Sequence, residues 1–136
     1  MSKIHVSAQV NQPIQEVWTH YTAPFFITQW NFAHESWCCP TATNDLRVGG
    51  RFNYRMEARD GSFGFDFEGT YLEVEPYSKI IYQLDDERKA IIQFMTEGNI
   101  TRVTIDFDAE HQNPEEMQRQ GWQAILDQFK KVSEAQ

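Results

Sequence analysis

Ile4, Val6, Ala8 and Val10 alternate with Lys3, His5, Ser7 and Gln9. This is the period-two pattern of a strand with one buried face, and it extends from about Lys3 to Asn11. Pro13 then supplies a helical φ at a first-turn position where its missing N–H is not needed, and Ile14, Val17, Trp18 and Tyr21 follow at helical intervals. The pattern predicts a short helix ending before Pro24 and a second short helical segment after it, bearing Phe25, Phe26, Ile27 and Trp30. Between Asn31 and Asn44 the periodicity is weak. Trp37-Cys38-Cys39-Pro40 fits either an entering strand or a structured loop.

Alternation returns at Arg51 to Glu57, with Phe52, Tyr54 and Met56 on one face, after a Gly49-Gly50 pair that predicts a bulge or tight bend. Asp60-Gly61 matches a primed hairpin turn. Phe63, Phe65 and Phe67 alternate, Gly69-Thr70 interrupts, and Leu72 and Val74 take the opposite parity. A long bent strand whose inward face changes at the glycine is expected. Short connections at Pro76-Tyr77-Ser78, Asp85 to Arg88 and Gly98-Asn99 join strands over Lys79–Leu84, Lys89–Thr96 and Ile100–Asp108 into an antiparallel meander. A closing helix of about twenty residues begins near Pro114, with Asn113 as its N-cap and Glu115 and Glu116 at the positive end of its dipole. Met117, Gly121, Trp122, Ile125, Leu126, Phe129 and Val132 form its apolar stripe. Burying Trp122, Ile125, Leu126 and Phe129 contributes roughly 6 to 12 kcal/mol, an upper bound that ties this helix to the core.

Composition narrows the class. A chain of 136 residues suits one domain, 1–136, with one core. A net charge of -8 with no compensating Lys/Arg block argues against nucleic acid and against anionic membrane surfaces as partners. The N-terminal segment lacks the apolar run of a secretory signal and no later segment has transmembrane length, so a cytoplasmic protein is expected. Cys38 and Cys39 should then be free thiols, and the Asn99-Ile100-Thr101 sequon a chance match.

Strand, two short helices, a meander and one long helix is the order of the helix-grip fold, an α+β arrangement in which a curved antiparallel sheet wraps around the last helix. Five stretches sharpen the match: Pro13 to Trp18, Trp30, Asp45 to Phe52, Gly69 to Pro76, and Gly121 to Leu126. The chain resembles the START-like (SRPBCC) superfamily, and within it the AHSA-like proteins similar to the activator of heat-shock-protein ATPase homologue. The resemblance implies a cavity between sheet and helix, often used for hydrophobic small molecules, but no single activity. No separate domain precedes the matching stretches, so a complete co-chaperone role is not expected.

Trp30, Phe32, Trp37, Tyr54, Phe65, Phe67, Tyr71, Phe94 and Trp122, together with Met56, Met117, Gly121 and Ile125, are the candidate ligand-binding residues. The plain alternative for each is core packing. An unfilled pocket of about 300 Å³ would cost on the order of 7 kcal/mol, so a hollow that large implies use. His34, Cys38 and Cys39 lie close together, but adjacent cysteines with Cα atoms about 3.8 Å apart suit neither a disulfide nor a shared zinc, and no metal or other cofactor is expected. By strand parity Arg55 and Glu57 oppose Tyr54 and Met56, and Asp66 and Glu68 oppose Phe65 and Phe67, which puts these charges in solvent. His20 and His111 are expected to be solvated. Tyr54 and Tyr71 could orient a ligand's polar group, act as weak acids or simply complete the core.

No catalytic constellation is identifiable: no nucleophile has a base, and the glycines form no phosphate loop. The leading expectation is a binding protein for an apolar small-molecule ligand. A cyclase- or dehydratase-type enzyme would need an inward titratable group, which parity does not supply on the central strands. A co-chaperone-like module, with a protein partner or a homodimer, would show an exposed apolar patch instead of an enclosed hollow.

Overall fold

In the computed structural model, which describes residues 3–136, the chain runs β1 (Lys3–Val10), α1 (Ile14–Thr22), α2 (Pro24–Trp30), β2 (Trp37–Asn44), β3 (Arg51–Ala58), β4 (Gly64–Glu75), β5 (Lys79–Leu84), β6 (Lys89–Glu97), β7 (Ile100–Asp108) and α3 (Glu115–Glu134). All seven strands join one antiparallel sheet in the order β1-β7-β6-β5-β4-β3-β2. The two short helices carry the chain from one sheet edge to the other, and the meander walks it back until β7 pairs with β1. The curled sheet closes around α3 in the helix-grip arrangement. No helix among the described residues is long and apolar enough to cross a membrane.

Alternation decides which side chains enter the grip. Ile80, Tyr82 and Leu84 on β5, Ala90, Ile92 and Phe94 on β6, and Val103, Ile105 and Phe107 on β7 are all buried. Against them α3 presents Leu126 and Phe129, which are 1% and 0% exposed, and Trp122, which stacks on Phe107 with ring centroids 3.9 Å apart. The outer edge of β1 is covered by α3 in a specific way. Gln123 donates from Nε2 to the Ser7 carbonyl at 3.0 Å, Lys130 Nζ donates to the Gln9 carbonyl, and the Asn11 N–H donates to Glu134 at 2.7 Å. These side chains occupy backbone groups that an open edge would offer to another strand.

The structure revises several expectations. The Trp37-Cys38-Cys39-Pro40 run opens strand β2, with its register broken between Cys38 and Thr41, where Pro40 cannot donate to a ladder. The β3–β4 connection is not a two-residue primed turn. Only Gly61 has positive φ, and the Ala58 N–H donates to the Phe63 carbonyl, which makes a longer loop. On β4 the parity change falls at a bulge between Tyr71 and Glu73 instead of at Gly69, which leaves Leu72 outside at 39% exposure and Val74 inside. Gly69 answers a different need: a Cβ there would sit 2.4 Å from the Gln83 carbonyl oxygen and 3.1 Å from the Phe52 ring.

Pro114, not Asn113, holds the N-cap position of α3, and no side chain caps the helix there. Gln118 folds back instead, donating to the Asn113 carbonyl at 2.8 Å and accepting from the Glu110 N–H at 2.8 Å. His20 is also not solvated. It is 3% exposed, shares a 2.7 Å hydrogen bond between Nδ1 and the Ser133 hydroxyl, and packs against the Phe26 ring. Burial lowers its pKa, opposed by the nearby Glu16 carboxylate.

Candidate functional site

A cavity of about 120 Å³ lies between the concave face of the sheet and α3. β3 and β4 supply Tyr54, Met56, Phe65, Phe67 and Tyr71, and α3 supplies Trp122, Ile125 and Leu126. Its remaining wall comes from the α1–α2 segment, through Tyr21, Thr22, Trp30 and Asn31, and from the inward positions of β5, β6 and β7. At the backbone level α3 lies against β1, α1 and α2, while its other flank stands off from β3 and β4. Phe65, 41% exposed, stands where this gap meets solvent.

The helix position that keeps the hollow open is fixed by aromatic contacts at its closed end. Phe129 meets the rings of Tyr21 and Trp30 edge-on at 5.1 Å each, and Trp30 donates its indole N–H to the His20 carbonyl at 2.9 Å. Large rings braced against one another cannot collapse into the space beside them without leaving their rotamers.

Among the described residues no charged side chain lines the cavity. Its polar groups are phenols, the side chains of Thr22 and Asn31, and the indoles of Trp30 and Trp122. The hydroxyls of Tyr54 and Tyr71 are 3.4 Å apart, and the Asn31 amide donates toward Met56 Sδ at 3.3 Å. Burial pushes the phenols of Tyr54 and Tyr82 well above their ordinary value, with the neighbouring Tyr71 adding to both, and raises Tyr21 and Tyr71 as well. Strand parity put the Arg55, Glu57, Asp66 and Glu68 charges outside and Tyr54 inside, whereas Tyr21 and Tyr82 were not among the sequence candidates. The shifts of all four phenols run upward, away from neutral pH, so at physiological pH they are uncharged hydrogen-bonding groups. Outside the sheet, Arg55 pairs with Glu57 at 3.0 Å and Asp66 at 3.5 Å, and Asn53 donates to Glu68 at 2.9 Å.

Over residues 11–134 the sequence matches the family model described as Activator of Hsp90 ATPase homolog 1-like protein. The chain belongs to that family. Among solved structures it is similar to the AHSA1-like protein from Aeromonas hydrophila, at 42% identity and a TM-score of 0.93, covering 98% of this chain and 93% of that one. A protein from Cytophaga hutchinsonii gives 42% identity and a TM-score of 0.85 over 98% of this chain and 92% of that one. A protein from Chromobacterium violaceum, 22% identical with a TM-score of 0.84 over 98% and 99% of the two chains, shares the fold. No curated protein sequence matches the chain.

Within this Activator of Hsp90 ATPase homolog 1-like fold, the sequence candidates divide by position. Trp30, Tyr54, Met56, Phe65, Phe67, Tyr71, Trp122 and Ile125 come together around the cavity. Five do not. Phe94 faces inward but lies beyond the closed end, packed on Trp18 and Tyr21 at 5.1 and 5.5 Å. Phe32 sits under the Arg59 guanidinium, and Trp37 joins Phe63 and Phe65 in a cluster beside the cavity. Met117 is 58% exposed and Gly121 faces open space, because the helix has turned both off the inward arc. Sequence reasoning missed Ile80, Tyr82, Ile92 and Ile105, whose alternation on the meander strands carried the signal, and Leu126, which stood in the helix stripe. It also missed Tyr21, Thr22 and Asn31, which reach the cavity only because α1 and α2 cap it.

Proposed function

We propose that this protein is a small-molecule binding module that takes an apolar or aromatic ligand into the cavity between the sheet and α3. The observation carrying this reading is a ring-lined hollow with no charged side chain in its wall, opening beside Phe65. At about 24 cal/mol per Å³, a hollow of about 120 Å³ left unfilled costs about 3 kcal/mol, less than a 300 Å³ pocket would, yet a sizeable share of a domain's net stability. Its size is on the scale of the ~150 Å³ apolar cavity that holds a benzene ring. A compact single-ring ligand fits this volume, and larger ones would project past Phe65.

Native mass spectrometry of freshly purified protein, followed by a thermal-shift screen of flavonoids, fatty acids and polyketides, tests the reading. A co-purifying small molecule, or a class of apolar compounds that raises Tm, supports it. Trp122→Ala should both destabilise the fold and weaken such binding, because Trp122 stacks on Phe107 and lines the cavity. His34→Ala and Cys38→Ala should leave both nearly unchanged. Absence of any binding across the screen counts against the proposal.

A protein-interaction module is the second reading, favoured by Phe25 and Phe63, which are 72% and 60% exposed. It requires partner binding to fail in Phe25→Ser or Phe63→Ser while the cavity variants retain it.

A further inference from the structure

Tyr21 and Tyr82 line the cavity, and no side-chain hydrogen bond is made by either hydroxyl among the described residues. Their situation is not that of a polar atom sealed in a dry core: no fully enclosed side-chain oxygen or nitrogen lacks a partner, so both hydroxyls have open space against them. Tyr82 as a residue is only 8% exposed, and the space its ring borders is the cavity. Two phenolic hydroxyls without partners among the described residues thus border a hollow whose other polar groups are Tyr54, Tyr71, Thr22, Asn31 and the Trp30 and Trp122 indoles. Tyr54 and Tyr71 already meet each other at 3.4 Å. Every one of the four phenols is held neutral by burial, so each retains its proton to donate.

Resting on the binding role proposed above, we infer that the ligand is a compact, uncharged aromatic or alicyclic molecule bearing a hydrogen-bond acceptor, such as a carbonyl oxygen, that receives the hydroxyl protons of Tyr21 and Tyr82. A carbonyl oxygen offers two lone pairs and no proton, which complements donors that lack acceptors. A carboxylate would also accept, but burying an ionised group requires a cation or a dense shell of donors, and among the described residues no Lys, Arg or His lines the cavity. A purely apolar ligand would fill the volume and leave both hydroxyls unpaired.

Four probes matched in heavy-atom count separate these cases: acetophenone (acceptor), α-methylstyrene (neither donor nor acceptor), indole (donor only) and benzoate (anion). Their affinities are measured by NMR titration of the full-length protein, with the Trp122 indole N–H as the reporter inside the cavity. Acetophenone should bind about three- to tenfold more tightly than α-methylstyrene and indole, the ratio that one neutral hydrogen bond contributes. Benzoate should give no saturable shift. In the double variant Tyr21→Phe/Tyr82→Phe the advantage of acetophenone over α-methylstyrene should disappear, and retained Trp122–Phe107 ring-current shifts verify that this variant is folded. Equal affinities in the wild type, or an advantage that survives the double variant, overturns the acceptor assignment while leaving the binding role standing. Failure of all four probes to move the Trp122 signal overturns both.

Discussion

Two glycines show how differently the same residue can be used. Gly50 follows the positive-φ Gly49 in the turn before β3, and a Cβ on Gly50 would lie 1.9 Å from the Asp45 carbonyl oxygen, a backbone atom that cannot swing aside. Gly50→Ala should therefore cost about 1 to 3 kcal/mol, as overpacking does, and a urea melt reads it as a lower midpoint with little change in slope. At Gly121, inside α3, a Cβ would meet nothing within 4 Å. Gly121→Ala should stabilise by about 1 kcal/mol through the recovered helix propensity, seen as a Tm higher by about 4 °C. The Gly49-Gly50 pair was legible in the sequence as a bend, because paired glycines ahead of a strand carry that meaning. That Gly50 answers a close approach, and that Gly121 answers none, depended on atoms contributed by residues elsewhere.

The placement of α3 rests on its apolar stripe and on polar anchors at both ends of its contact with β1 and α1. Phe129, fully buried between Tyr21 and Trp30, is the residue whose loss should hurt most. Phe129→Ala is expected to cost about 3 to 5 kcal/mol in chemical denaturation. At the far end His20 of α1 hydrogen-bonds Ser133 of α3. Burial holds the folded-state pKa of His20 below its ordinary 6.5, so as pH falls through 6.5 the unfolded chain takes up a proton that the folded chain refuses. Stability contributed by this group is whole above that value and declines toward the folded-state pKa. Calorimetry of wild type and His20→Gln at about pH 7.5 and about pH 5 should show the Tm gap between them narrowing at the lower pH. A gap that stays constant would mean that folding leaves the His20 pKa unchanged, and one that widens that folding raises it; either contradicts the burial argument. The stripe of α3 was readable from spacing alone. His20 was not, because its partner lies 113 positions away and nothing in the local pattern distinguishes it from a surface histidine.

For the whole molecule, the order of elements and the inward face of each strand prescribe a sheet closed around a helix, and period-two alternation made that much visible. What alternation cannot supply is depth along the grip. Phe94 shares the inward parity of Ile92 yet falls past the closed end, whereas Tyr21 and Asn31 reach the cavity from segments whose periodicity says nothing about it. The volume itself arises from the stand-off between α3 and the β3–β4 side, a distance that no pattern of apolar residues encodes.

The central claim is that ligands enter this hollow instead of resting on the exposed rings outside. Intermolecular NOEs between bound acetophenone, or whichever apolar compound raises Tm most in the screen, and isotope-labelled side chains test it directly. The account predicts contacts to the methyl groups of Ile92, Ile105, Ile125 and Leu126 and none to Phe25 or Phe63. Contacts confined to Phe25 and Phe63, with the four methyl-bearing residues silent, would contradict it.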